Sequence, residues 1–210
     1  FSGYTDIAIG VALLLGFRLP INFNSPYKAL NITDFWHRWH ISLSSWLRDY
    51  LYIPLGGSRK GKIRTHINLM ITMLLGGLWH GASLRFVIWG GIHGLALVIH
   101  KIWVKLNLSL SRHYTMRASK NHVYRFISVF TTFHLVSFAW IFFRAGTMEN
   151  ATGMIKQILQ NFQIGLVPIM ISSYYKIFIV LIIGLVIHWL PSTFKEMYRG
   201  AFIKSNIIIK

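Results

Sequence analysis

Two imidazoles stand where proton chemistry could be done: His40, in Arg38-Trp-His-Ile-Ser42, and His80, in Gly76-Gly-Leu-Trp-His-Gly-Ala82. Imidazole is the side chain whose ordinary pKa lets it take or give a proton near neutrality, so either residue could serve as a general base. Other chemistries are thinly supplied. The 210 residues contain no Cys, which excludes a thiol nucleophile, a disulfide framework and any thiolate-ligated metal or iron–sulfur site. Only 5 residues are Asp or Glu, too few for paired-carboxylate catalysis or an oxygen-ligand metal cage, and no metal site is expected. No Gly-x-Ser-x-Gly elbow is present to make a serine acyl-enzyme. Polar chemistry must come from His, Arg, Ser and the backbone.

The histidines differ in what surrounds them. His40 lies in a run with a helical period in which Trp36, Trp39, His40, Leu43, Trp46, Leu47, Tyr50 and Leu51 fall on one face. Arg38, Ser42, Ser45 and Asp49 fall on the other, and His37 sits at the margin, where a solvated or headgroup-facing role is expected. Thr33-Asp34 is a fitting start for this helix and Pro54-Leu-Gly-Gly57 its end. Ser42, Ser44 and Ser45 read as polar-face residues, and Arg48-Asp49 as a local ion pair or a contact for donor phosphates. His80 closes a Gly-rich apolar run, at membrane depth or its far rim, where an ionisable group is costly and marks a functional site. Gly76, Gly77 and Gly81 permit close backbone approach or broken helix geometry around it. His93, His100, His134 and His188 read as helix-packing hydrogen-bond donors. A rival use of such residues, axial ligation of a b-type haem by His80 and His93, fits poorly because both fall in one helix-turn-helix region.

The elements that must carry these groups are membrane helices. Apolar runs occupy Ile7–Phe17, Ile67–Trp79, Leu84–Val104, Val123–Phe143 and Ile164–Leu190, the last three long enough to cross a bilayer. If all five cross, 18 of the 22 Lys and Arg residues fall on one side, the positive-inside pattern that makes that side cytoplasmic. Topology thus accounts for the formal net charge of +17, and nucleic acid is excluded as a partner. The expected fold is all-α: a polytopic transmembrane helical bundle, forming one domain over residues 1–210. The tryptophan-rich helix near His40 is expected to lie along the cytoplasmic headgroup boundary. The basic Gly56-Gly-Ser-Arg-Lys-Gly-Lys62 turn could meet lipid headgroups or a phosphorylated cofactor. Phe1 is not an initiator Met and follows no cleavable signal pattern, so the chain reads as the C-terminal portion of a longer membrane protein.

Several ordered segments carry a resemblance: Phe1-Ser-Gly-Tyr-Thr-Asp-Ile-Ala-Ile-Gly10, Asn22-Phe-Asn-Ser-Pro-Tyr27, Asp34-Phe-Trp-His-Arg-Trp-His-Ile-Ser-Leu-Ser-Ser-Trp-Leu-Arg-Asp-Tyr50, Gly76–Ala82 and Trp140-Ile-Phe-Phe-Arg-Ala145. Together they resemble the membrane-bound O-acyltransferase (MBOAT) family, within it the branch that O-acetylates alginate and related polysaccharides. The resemblance implies a helical bundle with a tunnel, through which a cytoplasmic acyl thioester such as an acetyl-CoA reaches an active-site histidine. It implies no bound cofactor, an acceptor hydroxyl on an exported polysaccharide, and periplasmic partner proteins that receive the acetyl group. The family's catalytic histidine matches His80, assigned as general base; its second important histidine matches His40, which could orient the donor, stabilise the oxyanion or shuttle a proton. At His37 the family pattern more usually has Arg, so that residue is given no catalytic role. The alternatives are D-alanyl transfer to teichoic acid by a related MBOAT protein, or a non-enzymatic transporter or haem-binding subunit.

Overall fold

In the computed structural model the described residues are 1–106 and 121–191, with 193, 194, 197, 200 and 201 beyond them. Among these the secondary structure is helical, without strands. Of the basic residues used to orient the chain, Arg112, Arg117, Lys120, Lys195, Arg199, Lys204 and Lys210 lie outside the described residues, as does Glu196. The chain divides into two compact units, Phe1–Asn161 and Phe162–Lys210.

The first unit is built on a helical hairpin, α4 (Lys62–Trp79) and α5 (Leu84–Leu106). It is preceded by α1 (Ser2–Leu14), α2 (Ile32–Arg38) and α3 (Ile41–Leu47), and followed by α6 (His122–Arg144) and α7 (Met148–Gln160). Two helices, α5 and α6, are long and apolar enough to cross a membrane; α1, at 13 residues, is shorter than a span. Helix α4 carries Lys62 and Arg64 in its first turn, and the Ile67–Trp79 run forms its C-terminal two thirds.

Helices α4 and α5 meet through glycine. A Cβ placed on Gly77 would strike the Phe86 carbonyl oxygen, one on Gly90 would strike that of Met73, and each of these would also lie 3.3 Å from the other glycine's Cα. Packing in an apolar solvent depends on such close backbone approach, because no hydrophobic force drives helices together there. The core continues from Met73 and Trp89 on this hairpin to Phe35 and Trp36 of α2 and to Val136, Ala139 and Phe142 of α6. The long polar connection is pinned back onto α4 by Asn68, fully buried, whose Nδ2 donates to the carbonyls of Leu55 (3.2 Å) and Gly57 (3.0 Å).

The anticipated single helix from Thr33 to Pro54 is broken. Asn31 caps α2, its Oδ1 accepting the Asp34 N–H at 2.9 Å, while Asp34 reaches back to the Leu30 N–H at 3.1 Å. Asp34 also pairs with Arg38 one turn on, at 2.7 Å. The helix stops at Arg38 because Trp39 is extended (φ −104°, ψ 127°) and His40 is left-handed (φ 44°, ψ 56°). The segment 22–24 takes over the hydrogen bonds lost at the break: Asn24 N–H donates to the Arg38 carbonyl (2.9 Å) and Ile41 N–H to that of Asn22 (3.0 Å). One apolar arc therefore does not run through the whole segment. Trp36 is buried in the core, whereas Trp46 is 52% exposed.

The second unit contains α8 (Val167–Ser173) and α9 (Tyr175–Trp189), bent by 90° at Tyr174. The apolar run Ile164–Leu190 is thus two helices with a corner rather than one straight span.

The glycine contact gives a stability test in the full-length protein. Gly77→Ala should destabilise the fold by the ~1–3 kcal/mol typical of overpacking and so lower the thermal midpoint in detergent. Gly153→Ala, where a Cβ meets nothing within 4 Å in helix α7, should leave the midpoint unchanged or slightly raised.

Candidate active site

His40 and His80 arrive from different elements and line the same cavity, of about 340 Å³. His40 stands at the break between α2 and α3; His80 is the residue that ends α4, its N–H bonded to the Gly77 carbonyl at 3.0 Å. Gly81, at φ 155°, then turns the chain into α5. The rest of the wall is aromatic: Phe1, Trp36, Trp39, Trp79, Trp89, Trp140 and Phe143, with Leu43. Among the described residues no carboxylate lines it.

The two imidazoles are held in different ways. Among the described residues no hydrogen bond is made by the His80 ring. It is boxed edge to face by Trp79 (centroids 4.9 Å apart), Trp89 (5.3 Å) and Phe143 (5.0 Å), an arrangement aromatic quadrupoles favour. Phe143 is itself fixed at the C-terminal end of α6, where the Arg85 guanidinium donates to the carbonyls of Phe143 and Ala145 and lies 4.4 Å from the Phe86 ring. His40 is hydrogen-bonded, with Nδ1 3.2 Å from the Asn22 Oδ1, and its ring packs against Phe1 at 4.9 Å. Burial lowers the His40 pKa below the ordinary 6.5, so its ring is neutral at neutral pH.

A second cavity, of about 550 Å³, lies between α2, α3, α4 and α5 and shares Trp36 with the first. His37, Ser44, Ser45, Arg48, Tyr52 and Lys101 contribute its polar lining. His37 is otherwise exposed, as its place on the wheel implies. Arg48 and Asp49 do form the local ion pair, at 2.7 Å.

The remaining histidines divide. His100 Nδ1 meets the Thr33 hydroxyl at 2.9 Å, the helix-packing role expected of it, whereas His134 is exposed and its Nδ1 meets the Phe130 carbonyl of its own helix at 2.8 Å. His93 is 1% exposed, stacked on Phe35 and edge-on to Trp36 and Trp89, and neither ring nitrogen has a hydrogen-bond partner. No cluster of three or more potential metal ligands occurs among the described residues. Sequence reasoning assigned no role to Asn22, Trp89, Trp140, Phe143 or Arg85. Asn22, Trp140 and Phe143 do sit in segments that carried the family resemblance, which was the available signal.

Comparison with known proteins agrees with this architecture. The model of the membrane-bound O-acyltransferase family matches residues 1–144, about two thirds of the chain, and the protein belongs to that family. Over 156 residues, 74% of this chain, it is 47% identical to a peptidoglycan O-acetyltransferase of Helicobacter pylori, covering 28% of that protein. Over 154 residues, 73% of this chain, it is 49% identical to a probable alginate O-acetylase of Pseudomonas syringae, covering 27% of it. A teichoic acid D-alanyltransferase of Bacillus subtilis is 33% identical over 150 residues, 68% of this chain and 37% of that protein. The chain thus spans less than a third of the length of the O-acetyltransferase relatives it matches.

The depressed pKa of His40 has a consequence for stability. The unfolded chain binds a proton near pH 6.5 more readily than the folded protein does, so this stabilisation is present above that pH and is lost as pH falls below it. The thermal midpoint of the full-length protein should rise between pH 5 and pH 7, and His40→Gln should make that rise smaller; calorimetry across that range checks it.

Proposed function

We propose that the protein is part of a membrane O-acyltransferase that moves an acetyl group from a cytoplasmic acyl thioester, of the acetyl-CoA kind, toward hydroxyls of an exported polysaccharide. The observation that carries this reading is the meeting of two imidazoles in one aromatic cavity free of carboxylates. The reaction asks for little else. The acceptor oxygen attacks the thioester carbonyl carbon while a neutral imidazole takes the hydroxyl proton. The tetrahedral intermediate then collapses, the C–S bond breaks, and the imidazolium returns its proton to the departing sulfur. His80 is assigned as the base and His40 as the group that orients the donor, stabilises the oxyanion or shuttles the proton.

The apolar walls serve this chemistry. An imidazole surrounded by aromatic rings resists charging, which keeps its lone pair available at neutral pH. Exclusion of water also protects the thioester from hydrolysis and strengthens each polar contact inside. The second cavity, with Arg48, Lys101 and two serines on its walls and Trp36 in common with the first, suits the polar arm of a thioester donor. No protein-bound cofactor is needed.

An acetyl group is preferred to a D-alanyl group because the chain is more similar to the O-acetyltransferases than to the D-alanyltransferase. The acceptor class is a polysaccharide on the far side of a bacterial inner membrane, in keeping with the peptidoglycan and alginate enzymes it resembles. There the acetyl group is handed to periplasmic partner proteins, and the chain is a multi-pass segment of that membrane.

Polysaccharide O-acetyl content in cells carrying the full-length protein tests this at matched membrane expression. His80→Ala should lower acetylation by about 10² or more, the usual contribution of a general base. His134→Ala, at an exposed residue that lines neither cavity, should leave it near the wild-type level. Unchanged acetylation in the His80 variant would remove the assigned base.

A further inference from the structure

Asn22 stands outside the cavity's wall but in contact with one of its two imidazoles. Its Oδ1 gathers three donors: the Ser42 backbone N–H at 3.1 Å, the Ser42 hydroxyl at 3.0 Å and the His40 Nδ1 at 3.2 Å. The first of these fixes the amide's orientation. A backbone N–H can only donate, so the atom facing it must be the oxygen, and an amide flip would set two donors against each other. That oxygen carries no hydrogen, so the contact with His40 is a hydrogen bond only if Nδ1 holds the proton. The Ser42 hydroxyl, also near Nδ1, is farther away at 3.5 Å and donates its hydrogen to Asn22.

Backbone geometry holds the pair in register. His40 is one of two non-glycine residues with positive φ among those described, a conformation that ordinary side chains disfavour. It persists because the same segment that supplies the Asn22 side chain also supplies its carbonyl to the Ile41 N–H and the Asn24 N–H to the Arg38 carbonyl. Two residues of one segment, Asn22 and Asn24, thus hold the His40 backbone in place and set a side-chain oxygen against its ring.

We propose that Asn22 is a positioning residue that locks His40 in the Nδ1–H tautomer, leaving the Nε2 lone pair free to accept a proton in the transfer reaction. This rests on the acyl-transfer reading and sharpens it: of the three roles open to His40, shuttling the proton taken up through Nε2 is the one this tautomer equips, because an oxyanion stabiliser acting through Nε2 would need a hydrogen there. Ordinary hydrolases use a carboxylate for the same purpose, and loss of the correct tautomer there costs orders of magnitude in rate. A neutral amide oxygen does the positioning without placing a negative charge beside the imidazole.

The test uses the full-length protein in detergent, with three readouts on Asn22→Leu and Asn22→Asp. Histidine ¹⁵N NMR, with His40→Gln to identify the resonance, reads the tautomer and needs no acyl donor. The wild type should show His40 protonated on Nδ1, and Asn22→Leu should show mixed tautomers. Acetyl transfer should fall at least about tenfold in kcat for Asn22→Leu with KM within about twofold, while Asn22→Asp, which still accepts from Nδ1–H, should recover most of the loss. Thermal midpoints separate a folding defect from this effect. An Nε2–H tautomer in the wild type would overturn the proposal, as would full kcat in Asn22→Leu, or a loss in both variants tracking their midpoints. If the tautomer is as stated but the wild type transfers no acyl group, the acyl-transfer reading fails and, with it, the catalytic use of the lock.

Discussion

The interruption of a helix at a single histidine organises the unit. Had the segment from Ile32 continued as one helix, Trp36, His40 and Leu47 would have been committed to one straight stripe. With the break, α2 sends Phe35 and Trp36 into the core between α5 and α6, α3 packs Leu47 against Gly76 of α4, and the residue between them is released to face a cavity. A left-handed conformation at His40 would not survive in isolation. It is held because segment 22–24 completes the backbone hydrogen bonds that the break leaves open, so unsatisfied polar groups at the break would be the cost of removing it.

A second constraint positions the other imidazole. The glycine contact between α4 and α5 brings the two helices so close that the turn between them, at His80 and Gly81, has almost no freedom, and Trp89 one turn along α5 lies against the His80 ring. Arg85 extends the same hairpin to α6 by donating to the carbonyls at that helix's end, where a cation also meets the negative end of the dipole. His80 is therefore oriented by packing and His40 by hydrogen bonding, a difference that gives the two rings different tautomeric freedom inside one cavity.

Much of this was legible in the sequence. The absence of Cys and the scarcity of carboxylates left histidine as the reactive group, and the glycines around His80 announced close helix approach before any coordinates. The helical character of the fold and the family followed from ordered motifs between Phe1 and Ala145. The break at His40 was not legible, because its cause lies 16 to 18 residues away in Asn22 and Asn24, and helical periodicity describes only neighbours in sequence. The same holds for Arg85 and Phe143, whose partnership spans 58 residues. The 90° corner at Tyr174 was also hidden: Ile164–Leu190 is uniformly apolar, and composition reports that a segment is apolar without reporting that it is straight.

The most direct test of a shared site is an experimental structure of the full-length protein with a ketone analogue of an acetyl thioester, in which carbon replaces sulfur and transfer cannot occur. The analogue's carbonyl is expected in the cavity between His40 and His80, within hydrogen-bond reach of at least one ring, with its polar arm passing Trp36. An analogue bound outside that cavity, with both imidazoles remote from the carbonyl, would contradict the assignment of the two histidines to one reaction.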